Sequence, residues 1–481
     1  MTDPPKQVSR RNFLALASVG SLLSACTPGT GTTTAPQSIF TISDLLSSVP
    51  FYISHRGSGD NWPEHTLVAY EKSRALGVGA LEISVHATKD NVFVCHHDSN
   101  TERLTGVNRE IREMTLDEIG QLRNDARQWL GPSSEGQPVP RLADALEQFA
   151  PNSVIFLEDK SAIHTQQLLD LMDSFPDSTK HFVWKQQATS DRYKEAAARG
   201  YKTWGYFSPD DFGSFASRAA LFDYVGIFHS ATDEQFRELA SYGKPVVCWE
   251  VHTRRQRDRL LDLGVTIMMC SNAPYVMTDK AAATADQFAG GLRANGDLPW
   301  TTDRGWAAQP AILPASRSLR LEGGDNPAYR MGSMCPIGGN AYKLSFEMRW
   351  PDALPDESQH AGVALAMDTD EPYRVLRSSG SAGYHVILRR SGDMELFVRE
   401  ANAVTGNQLA RVRTPAPRSG TWMSFELEVT PERLKLTRVD GDPRTLTSDN
   451  RAHRGGYFSL NKNYGEGPAV EFRSISVVSQ S

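Results

Sequence analysis

Ser54-His55-Arg56-Gly57, then Leu81-Glu82-Ile83-Ser84-Val85-His86-Ala87-Thr88-Lys89-Asp90, then Val94-Cys95-His96-His97-Asp98: these three pieces decide how the chain reads. Each lies at the end of an apolar, β-branched or aromatic run, where a strand hands polar side chains to a site. The same pattern recurs outward to about residue 290. It predicts strands at 51–55, 79–86, 92–96, 153–158, 181–184, 202–206, 223–228, 245–250 and 265–269. Stretches with helical spacing lie between most of them, such as Asp191 to Arg199, Thr232 to Tyr242 and Arg254 to Leu263. Alternation of this kind over roughly 250 residues predicts a (β/α)8 TIM barrel. The run at 92–96 follows 79–86 across Lys89-Asp90-Asn91, which reads as a turn, and is the extra strand. A doubly wound open sheet is the alternative, but no Gly-rich dinucleotide fingerprint follows the first strand.

Beyond residue 310 the period changes to two. Tyr342, Leu344, Phe346, Met348 and Trp350 alternate with Lys343, Ser345, Glu347 and Arg349. Met423, Phe425, Leu427 and Val429 alternate with Ser424, Glu426 and Glu428. Such alternation buries one face of an antiparallel strand and wets the other, which predicts an all-β sandwich. The ending, Gly455-Gly456-Tyr457-Phe458 through Val470-Glu471-Phe472 to Ile475, resembles the last strands of a concanavalin or laminin-G type, lectin-like sandwich. The reading is a leader at 1–26, a Thr/Gly/Pro/Ser-rich tether at 27–44, the barrel at 45–292, a connection at 293–310 with Trp300 and Trp306, and the sandwich at 311–481.

The 481 residues exceed one ordinary core, and 40% hydrophobic with 22% charged residues is a globular composition. A formal net charge of -6 and the lack of a long basic run argue against nucleic acid as a partner. Ser9-Arg10-Arg11-Asn12-Phe13-Leu14 with the small apolar run to Leu23 reads as a twin-arginine export signal. Leu23-Ser24-Ala25-Cys26 resembles a lipobox, in which Cys26 would be lipidated; the alternative is a plain signal peptide cut near Ala25. The apolar run is shorter than the roughly 20 residues that span a bilayer. The expected location is therefore the extracytoplasmic face of the membrane, as a lipoprotein of the cell envelope. Cys95, Cys248, Cys270 and Cys335 form no C-x-x-C pair and read as buried free thiols.

The 51–105 stretch resembles the glycerophosphodiester phosphodiesterase family. That family shows His-Arg-Gly, Pro-Glu-Asn-Thr, Glu-x-Asp-Val-x-x-Thr-Lys-Asp-Gly, His-Asp and an Arg five residues later. Here these are His55-Arg56-Gly57, Pro63-Glu64-His65-Thr66, the stretch from Glu82 to Asp90, His97-Asp98 and Arg103. The distance from Asp90 selects His97 over His96. Leu157-Glu158-Asp159-Lys160 fits the later Glu-x-Lys, and the likeness covers roughly residues 50 to 275, about one barrel. One departure stands out: Ser84 holds the place of the second acid in Glu-x-Asp.

The resemblance implies hydrolysis of a phosphodiester, releasing an alcohol and glycerol phosphate. His55 and His97 sit at the ends of neighbouring strands, and imidazole titrates near neutrality, so the pair suits acid and base roles on one phosphate. Arg56 is the candidate phosphate fork, with an ion pair to Glu64 as the alternative; Lys160 is a second cation, with Glu158 as its alternative partner. His86 shares parity with Glu82 and Ser84 and is a candidate for the cleft, as are Glu64 and Trp249. His96 faces the other way and reads as structural. Glu82 and Glu158 are strand-end carboxylates whose natural partner is a divalent cation, Mg²⁺ or Ca²⁺. In the family the second acid completes that set. Ser84 could contribute only a hydroxyl or a held water, so the alternative is a metal-free or inactive site. Late in the barrel, His252 stands where the family has Asn, and Cys270-Ser271-Asn272-Ala273-Pro274 keeps only the proline of the family pattern. Asp368, Asp370 and Glu371 read as a calcium loop or a solvated loop. Other functions compatible with the residues are a lysophospholipase D-like cyclising enzyme, and a phosphate-binding surface lipoprotein weakened in catalysis. The expected partners are a glycerophosphodiester or lysolipid-type substrate, the membrane through the lipid anchor, and envelope glycan at the sandwich.

Overall fold

The computed structural model describes residues 38–294, 296–298, 309–322, 328–334, 341–373 and 375–480. The leader, Cys26, most of the tether, Trp300, Trp306 and Cys335 lie outside the described residues. Among the described residues, no helix is long and apolar enough to cross a membrane.

The nine strands expected between 51 and 270 are all present: β1 (Phe51–Ser54), β2 (Ala80–Ala87), β3 (Phe93–Cys95), β4 (Val154–Asp159), β5 (Phe182–Gln187), β6 (Lys202–Phe207), β7 (Tyr224–Phe228), β8 (Val246–Val251) and β9 (Ile267–Cys270). Eight of them pair in parallel, and β1 bonds both β2 and β9, so the sheet closes. β3 is the extra strand, antiparallel to β2. A closed barrel has helices on its outside, so most of its strands are buried on both faces. Leu81, Ile83 and Val85 point out and pack with Leu142, Leu146, Leu168 and Met172 of two surrounding helices. Ile53, Ala80, Phe156, Val183, Trp204 and Met269 fill the interior.

Register then fixes where polarity enters. Ile53 pairs with Ala80, Ser84 with Glu158, and Leu157 with Trp184. Side chains alternate along a strand. Going up the interior, Ile53 is therefore followed by His55, Ala80 by Glu82 and Ser84, Phe156 by Glu158, Val183 by Lys185, and Trp204 by Tyr206. The apolar rows turn polar at one level, at the carboxyl ends of the strands, where barrel active sites form.

The C-terminal part has antiparallel sheets of seven and six strands. Their inner faces share one apolar core, including Leu344, Phe346, Phe425 and Leu427 from one sheet and Val363, Tyr384, Val386 and Leu460 from the other. Tyr342–Arg349 and Met423–Val429 alternate buried and half-buried, as the period of two predicts. His360–Met367 is buried throughout, because the outer side of its sheet meets the barrel. There Ala364, Met367 and Tyr457 join a cluster with Tyr275 and Val276.

The acid cluster expected as a calcium or solvated loop is instead part of this junction. Asp370 is buried and accepts hydrogen bonds from the backbone N–H groups of Arg254 (2.7 Å) and Arg255 (3.2 Å) and from the Tyr275 hydroxyl (2.8 Å). It thereby sits at the amino end of the barrel helix Arg254–Asp262, where free N–H groups and the helix dipole favour an anion. Asp368 pairs with His453 at 2.8 Å, and Glu371 with Arg255 at 2.8 Å.

Candidate active site

His55 follows β1 in a short turn, His55–Gly57, in which Arg56 has φ 53°. The turn leaves the Arg56 backbone N–H free to donate to Glu82 Oε2 at 3.0 Å. It also puts the His55 ring in the barrel mouth, with Nδ1 2.8 Å from the Ser271 hydroxyl beyond β9. Burial lowers the His55 pKa to about 4, more than Glu250 can offset, so the ring is neutral at pH 7.

His97 lies just past β3 and is more exposed. Its Nδ1 meets Asp98 Oδ1 at 2.8 Å, and its carbonyl is 3.1 Å from His86 Nε2. Burial lowers its pKa despite the Asp98 carboxylate. A run of polar contacts leads from His97 to the residue that follows His55. Asp98 accepts from Arg103 Nε (2.6 Å), Arg103 donates to Glu64 (2.6 Å), and Glu64 accepts from Arg56 (3.2 Å), which is next to His55. Glu64 is fully buried behind the two guanidiniums. Burial would raise its pKa, but Arg56 and Arg103 hold it well below the carboxylate range.

Trp249 stands on the far wall, its ring edge-on to Tyr206 and Phe228. His96, read as structural, is buried with Nδ1 2.9 Å from the Asp98 carbonyl.

Four residues of the site escape a reading by sequence alone. Lys185 lies one position beyond the strand predicted at 181–184, and its Nζ is 2.7 Å from Glu82 Oε1 and 2.8 Å from Glu158 Oε2. Tyr206 donates to Glu158 Oε1 at 2.6 Å. Ser271 bonds His55. Glu250 reaches toward His55 and Arg56, 3.9 Å from each. A charged residue ending an apolar strand run was the available signal for Lys185 and Glu250. His252 is also clamped, by Asp60 at 2.7 Å and Glu250 at 3.2 Å. Burial works against its charge, yet the two carboxylates raise its pKa to about 10. Beside Glu250 and His252 opens a cleft of about 790 Å³, which Arg330 and Glu371 of the sandwich help to line.

Residues 55–273 match the glycerophosphoryl diester phosphodiesterase family. The barrel thus carries the sequence pattern of that enzyme family. A putative glycerophosphodiester phosphodiesterase of Bacillus subtilis is 24% identical over 241 residues, 48% of this chain and 97% of that protein. A glycerophosphodiester phosphodiesterase of Caldanaerobacter subterraneus is 33% identical, over 23% of this chain and 45% of its own length. Among solved structures, an Oleispira antarctica phosphodiesterase in complex with the product sn-glycerol-3-phosphate is 17% identical, with a TM-score of 0.42 over 48% of this chain and 96% of that one.

Enzymes of this family generally use a divalent cation. The barrel brings Glu82, Ser84 and Glu158 together with Lys185 between the two carboxylates; buried Glu158 Oε2 has the Lys185 ion pair at 2.8 Å and no directed hydrogen bond. Glu82 accepts from Lys185, from the Ser84 hydroxyl (2.8 Å) and from the Arg56 backbone. Glu158 meets Lys185, Tyr206 and, at 3.5 Å, Lys160. Among the described residues, no group of three or more His, Cys, Asp or Glu side chains is placed to hold a metal ion. This donor set does not fit a divalent ion unless Lys185 is displaced.

Proposed function

We propose that the chain hydrolyses a glycerophosphodiester, releasing glycerol phosphate and an alcohol, with His55 and His97 as the proton-transfer pair. The observation that carries this reading is two imidazoles, neutral at pH 7, at one barrel mouth, each oriented through Nδ1, beside Arg56 and Lys160. Arg56 would hold a phosphoryl oxygen through its N–H fork, and Lys160 would add a second positive charge. His97 suits the base. Its Nδ1–H faces Asp98, which leaves Nε2 to take the proton of the attacking oxygen and lets the carboxylate stabilise the imidazolium. His55 suits the acid for the departing alkoxide. A bound anionic phosphate favours the protonated ring and raises its depressed pKa. The cleft shared with the sandwich is the place for the alcohol portion, and the sandwich, of lectin-like type, would set the enzyme on envelope glycan or lipid. We also propose that the leader exports the chain and that lipid on Cys26 holds it at the outer face of the membrane.

A second reading is a cyclising, lysophospholipase D-like reaction. A human protein named lysophospholipase D is 32% identical over 113 residues, 23% of this chain and 36% of its own length. The test is turnover of glycerophosphocholine and lysophosphatidylcholine, with products identified by phosphorus NMR. Glycerol phosphate without a cyclic intermediate product supports hydrolysis, and a cyclic phosphate supports the second reading. No turnover of either substrate by the wild type would leave a phosphate-binding lipoprotein as the function.

A further inference from the structure

A buried ammonium stands between the two carboxylates that the family pattern gives to a metal. Lys185 Nζ lies 2.7 Å from Glu82 and 2.8 Å from Glu158, and the lysine side chain is 8% exposed. The rings of Trp204 and Tyr206 flank it, with centroids 5.8 Å and 5.7 Å from Nζ.

We propose that Lys185 permanently occupies the divalent-cation position, so that the chain binds its phosphodiester with protein cations alone. Three observations converge on this. The first is charge. A site with three carboxylates leaves room for a doubly charged ion. Here Ser84 replaces one acid, and the remaining Glu82 and Glu158 are matched by Lys185 and Lys160. The second is donor satisfaction. The Ser84 hydroxyl points at Glu82 Oε1 and donates to it, where an aspartate would have repelled it. Serine therefore fits the lysine-filled site better than an aspartate would. The third is the cost of moving the lysine aside. Beneath it lies the apolar layer of Phe156, Val183 and Trp204, and an ammonium withdrawn into that layer would lose every polar partner. Lys185 is thus a positioning residue. It neutralises Glu82 and Glu158 so that an anion can approach, and it holds Glu82 under the Arg56 backbone.

The inference concerns the site of the proposed phosphodiesterase, but its main test does not depend on turnover. Mn²⁺ binding to the full chain is followed by electron paramagnetic resonance for wild type and for the double variant Ser84→Asp/Lys185→Met. Wild type should show no saturable binding, and any hydrolysis it performs should be unchanged by EDTA. The double variant, with the third acid restored and the ammonium removed, should bind Mn²⁺ saturably. Saturable binding in wild type that Glu82→Gln abolishes overturns the proposal. So does a double variant that melts cooperatively yet binds no Mn²⁺. Should the double variant fail to fold, the wild-type titration with its Glu82→Gln control decides alone. A wild type that hydrolyses nothing sinks the phosphodiesterase reading while the Mn²⁺ result still judges this one.

Discussion

In the barrel, strand β2 (Ala80–Ala87) is buried at all eight positions; in the sandwich, Tyr342–Arg349 is fully buried only at every second one. Both strands have eight residues, yet burial means different things in them. The sandwich strand sets polar residues toward water, where they need no internal partner. The barrel strand has no wet face, so Glu82, Ser84 and His86 must each be matched by another side chain or backbone group. They are matched by Lys185, Glu82 and the His97 carbonyl. Chemistry collects where burial is complete and polarity is forced to pair.

This contrast can be broken by substitution. His97→Ala and His55→Ala should each lower kcat by about 10²–10⁴-fold, the usual worth of positioned proton transfer. The melting temperature of His97→Ala should stay near wild type, because that ring is partly exposed; His55→Ala should melt lower, because the buried Ser271 hydroxyl loses its ring partner. A steady-state assay beside a thermal melt checks both, and activity within a few-fold of wild type would remove the pair from the mechanism.

Phe425→Ala should do the reverse. Its ring stacks on Phe346 with centroids 5.0 Å apart in the sandwich core. Truncation should cost about 3–5 kcal/mol of stability in a denaturant melt while kcat per folded molecule is unchanged.

Asp370→Ala probes the seam between the two regions. Loss of its hydrogen bonds at the helix end should cost about 0.5–2 kcal/mol. It should also separate the single melt into a barrel and a sandwich transition by calorimetry. An unaltered single transition would mean that the apolar contacts and the Arg255–Glu371 pair couple them without Asp370.

A pH series probes the His252 clamp. Its folded pKa of about 10 lies above the ordinary 6.5. The stabilisation is therefore fully present below pH 6.5 and fades as pH rises through about 10. His252→Asn should flatten that slope in urea melts across the range.

The strand order of the barrel and the two-period of the sandwich were legible because both follow from patterns within one segment. The histidine pair, Arg56, Glu82 and Glu158 were legible because they recur at motif spacing. Lys185 was not. The strand read as 181–184 ends at its last apolar residue, and only its register against β4 puts position 185 beside Glu158. Ser271 and Tyr206 escaped for the same reason: their importance lies in what a neighbouring strand sets opposite them. Asp370 escaped because its partners, the backbone of residues 254 and 255 and the Tyr275 hydroxyl, are roughly a hundred positions away. Clustered acids look alike in a sequence whether they face water or finish a distant helix.

That aspartate carries a consequence for how such a protein could be assembled in evolution or in the laboratory. A barrel cut away near residue 310 would lose the anion at the head of Arg254–Asp262, the helix that follows the Trp249 and Glu250 strand. It would also bare Tyr275 and Val276 to solvent. The C-terminal sandwich is then no accessory that can be exchanged freely. Any replacement module would have to bring its own carboxylate to that spot.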